Sequence, residues 1–201
     1  MNLFNELTQD LKKKFETNKK IGFFISGGLD SSVLLYASCL IKQEQNLDNE
    51  FIVFTVPRYD DSVVHANRIL SWISEKFQIN FSQYYVGNPD LHHSRQVESG
   101  CVEAYEKNLA DFFLLGCTAV PQELPKQLVR NRSSWDRLYQ PWFDYTKDHT
   151  VRLMLELQCY ELISLTHTCT ESKTIRCGEC WQCSERAWAF AKVGIEDYGT
   201  M

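Results

Sequence analysis

The sequence predicts an α/β protein, a doubly wound and mainly parallel Rossmann-like sheet, with a C-terminal four-cysteine segment. Three observations carry that expectation. Short continuous apolar runs alternate with longer stretches of helical periodicity, the pattern of βαβ units. The first of these runs feeds directly into the turn "SGGLDSS" at residues 26–32. Near the far end, Cys169, Cys177, Cys180 and Cys183 crowd into fifteen positions.

The elements follow in order. Residues 2–17 place Leu3, Leu7, Leu11 and Phe15 on one helical face. "IGFFI" (21–25) is a short apolar run suited to a strand buried on both faces. Residues 32–43 are long enough for a helix, and "FIVFTV" (51–56) is the next buried strand. Residues 62–77 carry Val63, Leu70, Ile73 and Phe77 on one face of a third helix. A third strand is expected at 82–86, a helix at 97–110 and a fourth strand at 112–116. Residues 118–137 read as loop, with Pro121 and Pro125, and 147–160 as another helix. The expected organisation is one α/β domain over 1–165, with residues 166–201 packed on it as a metal-binding segment.

Composition narrows the function classes. The chain has 201 residues, 44% of them apolar and 23% charged, an ordinary globular balance. A net charge of −5 counts against a broad basic face for nucleic acid, though not against a local basic pocket. No run of eighteen apolar residues suggests a membrane span. The N-terminus is polar and lysine-rich with no apolar signal region behind it, so a cytoplasmic setting is expected.

The turn after the first strand falls where open α/β sheets bind anions. Gly27 and Gly28 allow unusual dihedrals and a close backbone approach. The first N–H groups of the next helix have no intrahelical partner and carry the positive end of its dipole. Ser26, Ser31 and Ser32 add hydroxyls. The whole is a pyrophosphate cradle. It lacks the Lys-Ser or Lys-Thr ending of a Walker loop and the three spaced glycines of a dinucleotide fingerprint.

Of the eight cysteines, Cys39, Cys101, Cys117 and Cys159 each sit alone in apolar stretches and read as core. Cys169, Cys177, Cys180 and Cys183 have two-residue gaps that let neighbouring thiolates converge. Four thiolates close a tetrahedral shell, the form of a structural Zn²⁺ site; an iron–sulfur cluster uses the same ligands.

The heptapeptide 26–32 resembles the signature of PP-loop ATP pyrophosphatases. Together with "CGECWQC" (177–183), it resembles 7-cyano-7-deazaguanine synthases. "CSERAWAFAKVGIEDYG" (183–199), "QPWFDYTKDHTVRLMLEL" (140–157) and "THTC" (166–169) extend that similarity. Residues 55–66 and 116–136 depart from the family's nucleoside and substrate segments.

The resemblance implies an AMP-forming ligase. It would use ATP and Mg²⁺ to convert 7-carboxy-7-deazaguanine and ammonia to 7-cyano-7-deazaguanine, with structural Zn²⁺ and a homodimeric assembly. Ser26, Gly27, Gly28, Leu29, Asp30, Ser31 and Ser32 would hold the phosphates. Asp30 would organise Mg²⁺ or the loop, and Lys147 would contact phosphate unless it is simply a solvated lysine. Thr55 and Val56 would lie beside adenine, and Gly116 would let the nucleotide approach. Arg95, Arg130 and Arg132 are further anion contacts to consider. The rival readings are a PP-loop ligase for another carboxylate, a tRNA thiolase, or a non-catalytic zinc and nucleotide-binding module.

Overall fold

The computed structural model describes residues 2–88, 90, 91, 93–124 and 130–199. Its elements run α1 (Leu3–Thr17), β1 (Lys20–Phe24), α2 (Leu29–Glu44), β2 (Glu50–Thr55), α3 (Ser62–Phe77) and β3 (Ser82–Tyr85). They continue with α4 (His93–Glu106), β4 (Phe112–Leu115), β5 (Leu138–Tyr139), α5 (Lys147–Glu156), α6 (Glu161–Leu165) and α7 (Trp181–Val193).

The strands form one five-stranded sheet in the order β3-β2-β1-β4-β5. Every pairing is parallel, with Phe24 opposite both Phe54 and Leu115. Successive residues of β1 feed opposite faces, as strand geometry requires. Phe23 joins Val53, Leu114 and the apolar sides of α1, α2 and α3 in one core. Phe24 joins Ile52, Phe54, Phe113 and Cys101 of α4 in the other. Burial on both faces is why the strands read as unbroken apolar runs. Gly22 is required there. A Cβ on it would lie 2.7 Å from both the Phe54 and Phe113 rings.

The chain reverses direction across the sheet after β3. Crossovers β1-α2-β2 and β2-α3-β3 build outward on one side, and α4 then returns the chain over the other face to β4. β1 and β4 are therefore the strands at which the order switches. Their carboxyl ends diverge and leave a crevice between the two connections.

The predicted helix over 32–43 begins at Leu29, with Gly28 as its N-cap, so the serines lie inside the first turn. The helix expected over 97–110 ends at Glu106. Asn108 takes a left-handed φ of 53° and lets Leu109 N–H cap the Ala104 carbonyl at 2.9 Å. The helix expected over 147–160 ends at Glu156 for the same reason, with Gln158 at φ 54°, and α6 starts afresh at Glu161. β5 follows directly on the stretch read as loop over 118–137 and is too short for periodicity to reveal, while residues 125–129 lie outside the described set.

The C-terminal segment is closed on itself by ion pairs and reaches the domain through Arg186. The fully buried Arg186 of α7 donates to both carboxylate oxygens of Asp197 at 2.9 Å, and to the carbonyls of Ile163 at 2.7 Å and Thr166 at 3.1 Å. Arg176 donates to the same carboxylate at 2.6 Å. Burial pushes the Asp197 carboxyl up, but the two guanidiniums outweigh it and hold it below its ordinary value. A depressed carboxylate contributes stability that is complete above its unfolded pKa and is lost as pH falls through the folded one. Asp197→Asn should therefore cost about 3 kcal/mol at neutral pH by stranding Arg186. It should also flatten the acid limb below about pH 4. Urea midpoints across pH 3–7 for both proteins measure both effects.

Candidate active site

The crevice at the switch point is a cavity of about 140 Å³ lined by Ser26, Gly28, Leu29, Asp30, Ser31 and Gly116 from the sheet side. Lys147 and Glu185 reach it from α5 and α7, and Arg58 and Arg130 from loops. The serine–glycine turn thus opens into the cavity as its sequence position requires.

The two glycines serve different needs. Gly27 has φ +80°, and a Cβ on it would lie 2.3 Å from the His65 Cβ and 2.8 Å from its backbone. It is the close-packing residue. Gly28 has an ordinary backbone, and a Cβ there would meet only the Ser26 Oγ at 3.3 Å and the His167 carbonyl at 3.9 Å. No protein neighbour demands a glycine at 28, so the space is left for something else to approach. Gly116 is demanded by the chain itself, because its Cβ would fall 2.8 Å from the Asp30 carbonyl and the Ser31 nitrogen. It lets the end of β4 touch the start of α2.

The hydroxyls divide likewise. The Ser26 Oγ accepts from Gly28 N–H at 3.3 Å and faces the cavity. Ser32 is fully buried and spends its proton on the Gly28 carbonyl at 2.7 Å, so it shapes the turn from behind. Thr55 also lies behind the lining, its hydroxyl donating to the Ile25 carbonyl at 3.0 Å. Val56 is buried beside it and accepts from Ser62 at 2.8 Å.

Four charged groups meet over the turn. The Lys147 ammonium, 3% exposed, pairs with Asp30 and lies 3.4 Å from Glu185. Glu185, 1% exposed, receives two bonds from Arg130 at 2.9 and 3.1 Å. Arg130 also donates to the Thr118 carbonyl. Burial alone would strip the proton from Lys147, but Asp30 and Glu185 outweigh it and raise the ammonium above its ordinary value. Burial likewise pushes Glu185 up, while Lys147 and Arg130 together hold it below the usual carboxylate range. Their neighbours thus favour the charged forms of Lys147, Arg130 and Glu185. Asp30 Oδ1 is buried without a hydrogen-bond partner. A hard, unpartnered carboxylate oxygen beside a phosphate cradle suits Mg²⁺.

Lys147 is therefore no solvated lysine. Of the arginines considered, Arg130 enters the cluster. Arg132 pairs with Asp144 at the surface, and Arg95 is exposed on α4, away from the cavity lining. Sequence reading missed Glu185 and Arg58. Glu185 sits two residues beyond the last cysteine, a spacing that has no meaning until α7 is seen to aim its first turn at α5. Arg58 is oriented by Asp60, to which it donates at 3.3 and 2.5 Å.

The His65 and His167 rings stack 4.1 Å apart. Each Nε2 donates to a carbonyl, of Lys173 and Ser172 respectively, at 2.8 Å. His167 N–H also donates to the Gly27 carbonyl at 2.9 Å. This stack fastens the segment leading to the cysteines onto the glycine turn.

The sulfurs of Cys169, Cys177, Cys180 and Cys183 all lie within 4.8 Å of one another. Cys180 and Cys169 are 3.9 Å apart. Bonds of about 2.3 Å to a single tetrahedral ion place thiolates about 3.8 Å apart. The donor set therefore fits one thiophilic ion in a closed shell. Gly178, at φ +77°, makes the turn that returns Cys180 to Cys177, and Cys180 N–H donates to the Cys177 sulfur at 3.2 Å.

A parallel sheet in this order, with a serine–glycine turn at its switch point, defines an α/β fold matching that of PP-loop enzymes. The U34-tRNA thiolase NcsA from Methanococcus maripaludis, solved with its 4Fe–4S cluster, shares the fold. Its TM-score is 0.50 at 17% identity, over 94% of this chain and 72% of that one. The NMN synthetase from Francisella tularensis superposes with a TM-score of 0.55 at 11% identity, over 98% and 88% of the two chains. No curated protein matches the sequence. Residues 125–194, which include Arg130, Lys147, Glu185 and all four clustered cysteines, match the family described as queuosine biosynthesis protein QueC. The likeness to QueC thus lies in residues 125–194, and the remainder of the chain shares the α/β fold of the two solved structures.

The contrast between the glycines is testable. Gly27→Ala should lower stability by about 1–3 kcal/mol, through strain at positive φ and overlap with His65. Gly28→Ala should leave the melting temperature unchanged while weakening binding of ATP. Thermal unfolding and calorimetric titration of both variants separate the two effects.

Proposed function

We propose that this protein is an ATP-dependent, AMP-forming ligase that converts 7-carboxy-7-deazaguanine and ammonia to 7-cyano-7-deazaguanine, a step of queuosine biosynthesis. The observation that carries the reading is the buried Lys147–Asp30 pair set over the glycine turn, in a chain whose C-terminal part matches the QueC family. An opposite-charge pair there is matched by magnesium pyrophosphate, whose cation suits Asp30 and whose anion suits Lys147.

The chemistry requires two activations. The substrate carboxylate attacks the α-phosphorus of ATP, an acyl adenylate forms and pyrophosphate leaves. Ammonia displaces AMP to give an amide. The amide oxygen then attacks a second ATP, and loss of AMP and a proton leaves the nitrile. The protein's part is placement and charge stabilisation. Ser26, Gly28, Leu29, Asp30 and Ser31 offer backbone N–H and hydroxyl donors to the departing pyrophosphate, with Gly27 and Ser32 holding the turn's shape. Mg²⁺ on Asp30 would neutralise developing charge. Lys147 is fixed by Asp30 and Glu185, so it can face the phosphates without reorganising. Thr55 and Val56 would back the side of the site toward adenine from behind the lining, and Gly116 closes the turn against α2. Arg58, oriented by Asp60, is suited to the substrate carboxylate.

The cysteine shell is closed, so its ion, which we assign as Zn²⁺, supports residues 166–201 rather than the reaction. No helix among the described residues is long and apolar enough to cross a membrane. Cys117 is a poor sulfur-transfer nucleophile, because burial pushes its thiol up, which argues against a thiolase.

Incubation with ATP, Mg²⁺, ammonium and 7-carboxy-7-deazaguanine, followed by mass spectrometry, tests the proposal. The expected products are the nitrile, AMP and pyrophosphate. Asp30→Ala and Lys147→Ala should each lower turnover by about 100-fold or more. Amide without nitrile would mark a ligase that stops halfway. ATP binding without turnover would move the search to another carboxylate.

A further inference from the structure

We propose that Glu185 is a positioning residue that couples metal occupancy of the cysteine shell to nucleotide binding at the glycine turn. The inference deepens the function proposed above and rests on it.

The argument begins with the placement of α7. Cys180 is its N-cap and Cys183 lies in its first turn, so two of the four ligands define where the helix starts. Glu185 follows just past that turn. Its carboxylate is buried and reaches out of the metal segment to Lys147 on α5 and to Arg130 on the loop after β4. Both partners line the cavity with Asp30 and Ser31. The metal segment and the phosphate cradle thus share one charged contact.

That contact sets the charge balance of the cradle. Lys147 and Arg130 are held by Asp30 and Glu185, so the cluster is neutral as it stands. Displacing Glu185 would leave Arg130 without its carboxylate and Lys147 with Asp30 alone. An ammonium drawn wholly onto Asp30 would compete with Mg²⁺ for that oxygen and would no longer face the phosphates.

Ion loss should move Glu185 without unfolding the helix. Downstream of the first turn, Arg186 is bound to Asp197 and two carbonyls, and Ala189 and Phe190 are in the core. These anchors do not involve the ion. The first turn has the cysteine shell as its own anchor, and Glu185 lies between the two sets.

Linkage is reciprocal. If the ion strengthens nucleotide binding, the nucleotide must strengthen ion retention by the same factor, typically about 5–150-fold. The test uses the zinc-loaded full chain and measures zinc transfer to a chromophoric chelator with and without saturating MgATP. Wild type should hold zinc about tenfold more tightly with MgATP. Glu185→Gln should bind one zinc per chain and keep its far-UV circular dichroism, while the gain from MgATP falls to about twofold or less. If Glu185→Gln does not fold, Glu185→Asp, which retracts the charge by one methylene, should show the same reduced gain. A gain retained in these variants would overturn the coupling role, as would MgATP that binds wild type without affecting zinc. Failure of wild type to bind MgATP would overturn the ligase reading and this inference together.

Discussion

The Lys147 ammonium has no water to solvate it and survives as a cation because Asp30 and Glu185 flank it. Much of the site depends on that constraint. Asp30 stands in the first turn of α2, Lys147 opens α5 and Glu185 lies just past the first turn of α7, so one buried charge pins the early parts of three helices to a common point. Moving any of them would leave an ion uncompensated in a low-dielectric interior, which costs several kcal/mol. The cluster therefore fixes geometry as well as charge.

The rest of the molecule supplies the frame for that point. A sheet buried on both faces holds β1 and β4 side by side, and the glycine at 116 lets the end of β4 reach the backbone of Asp30. Gly27 lets the turn pack on His65, whose partner His167 leads directly into the cysteine segment. The metal shell, the histidine stack and the phosphate cradle are consequently neighbours. A chain that separates its two motifs by more than a hundred positions brings them to opposite walls of one cavity.

Electrostatics also explains how an acidic protein can hold a polyanion. The net charge of −5 describes the far field. Inside the cavity, Lys147, Arg130 and Arg58 meet Asp30 and Glu185 at close range, where local geometry outweighs distant surface charge.

The sequence by itself determined the fold class, the succession of strands along the chain through β4, the glycine turn and the cluster of four cysteines. Each is encoded locally: strands buried on both faces need apolar runs, a phosphate turn needs residues without Cβ atoms, and a closed shell needs close-spaced thiolates. Lys147 could be named from its neighbours, but not its burial. Helix ends at Asn108 and Gln158 were missed, because a left-handed cap leaves no mark in a periodic pattern. Only the tertiary structure decided that Arg130 and Glu185 join Lys147, that Ser32, Thr55 and Val56 stand behind the cavity lining, and that the metal segment touches the cradle. The reason is distance along the chain. Arg130 and Glu185 lie 55 positions apart, and nothing in either neighbourhood specifies the other until the sheet and α7 bring them within a hydrogen bond.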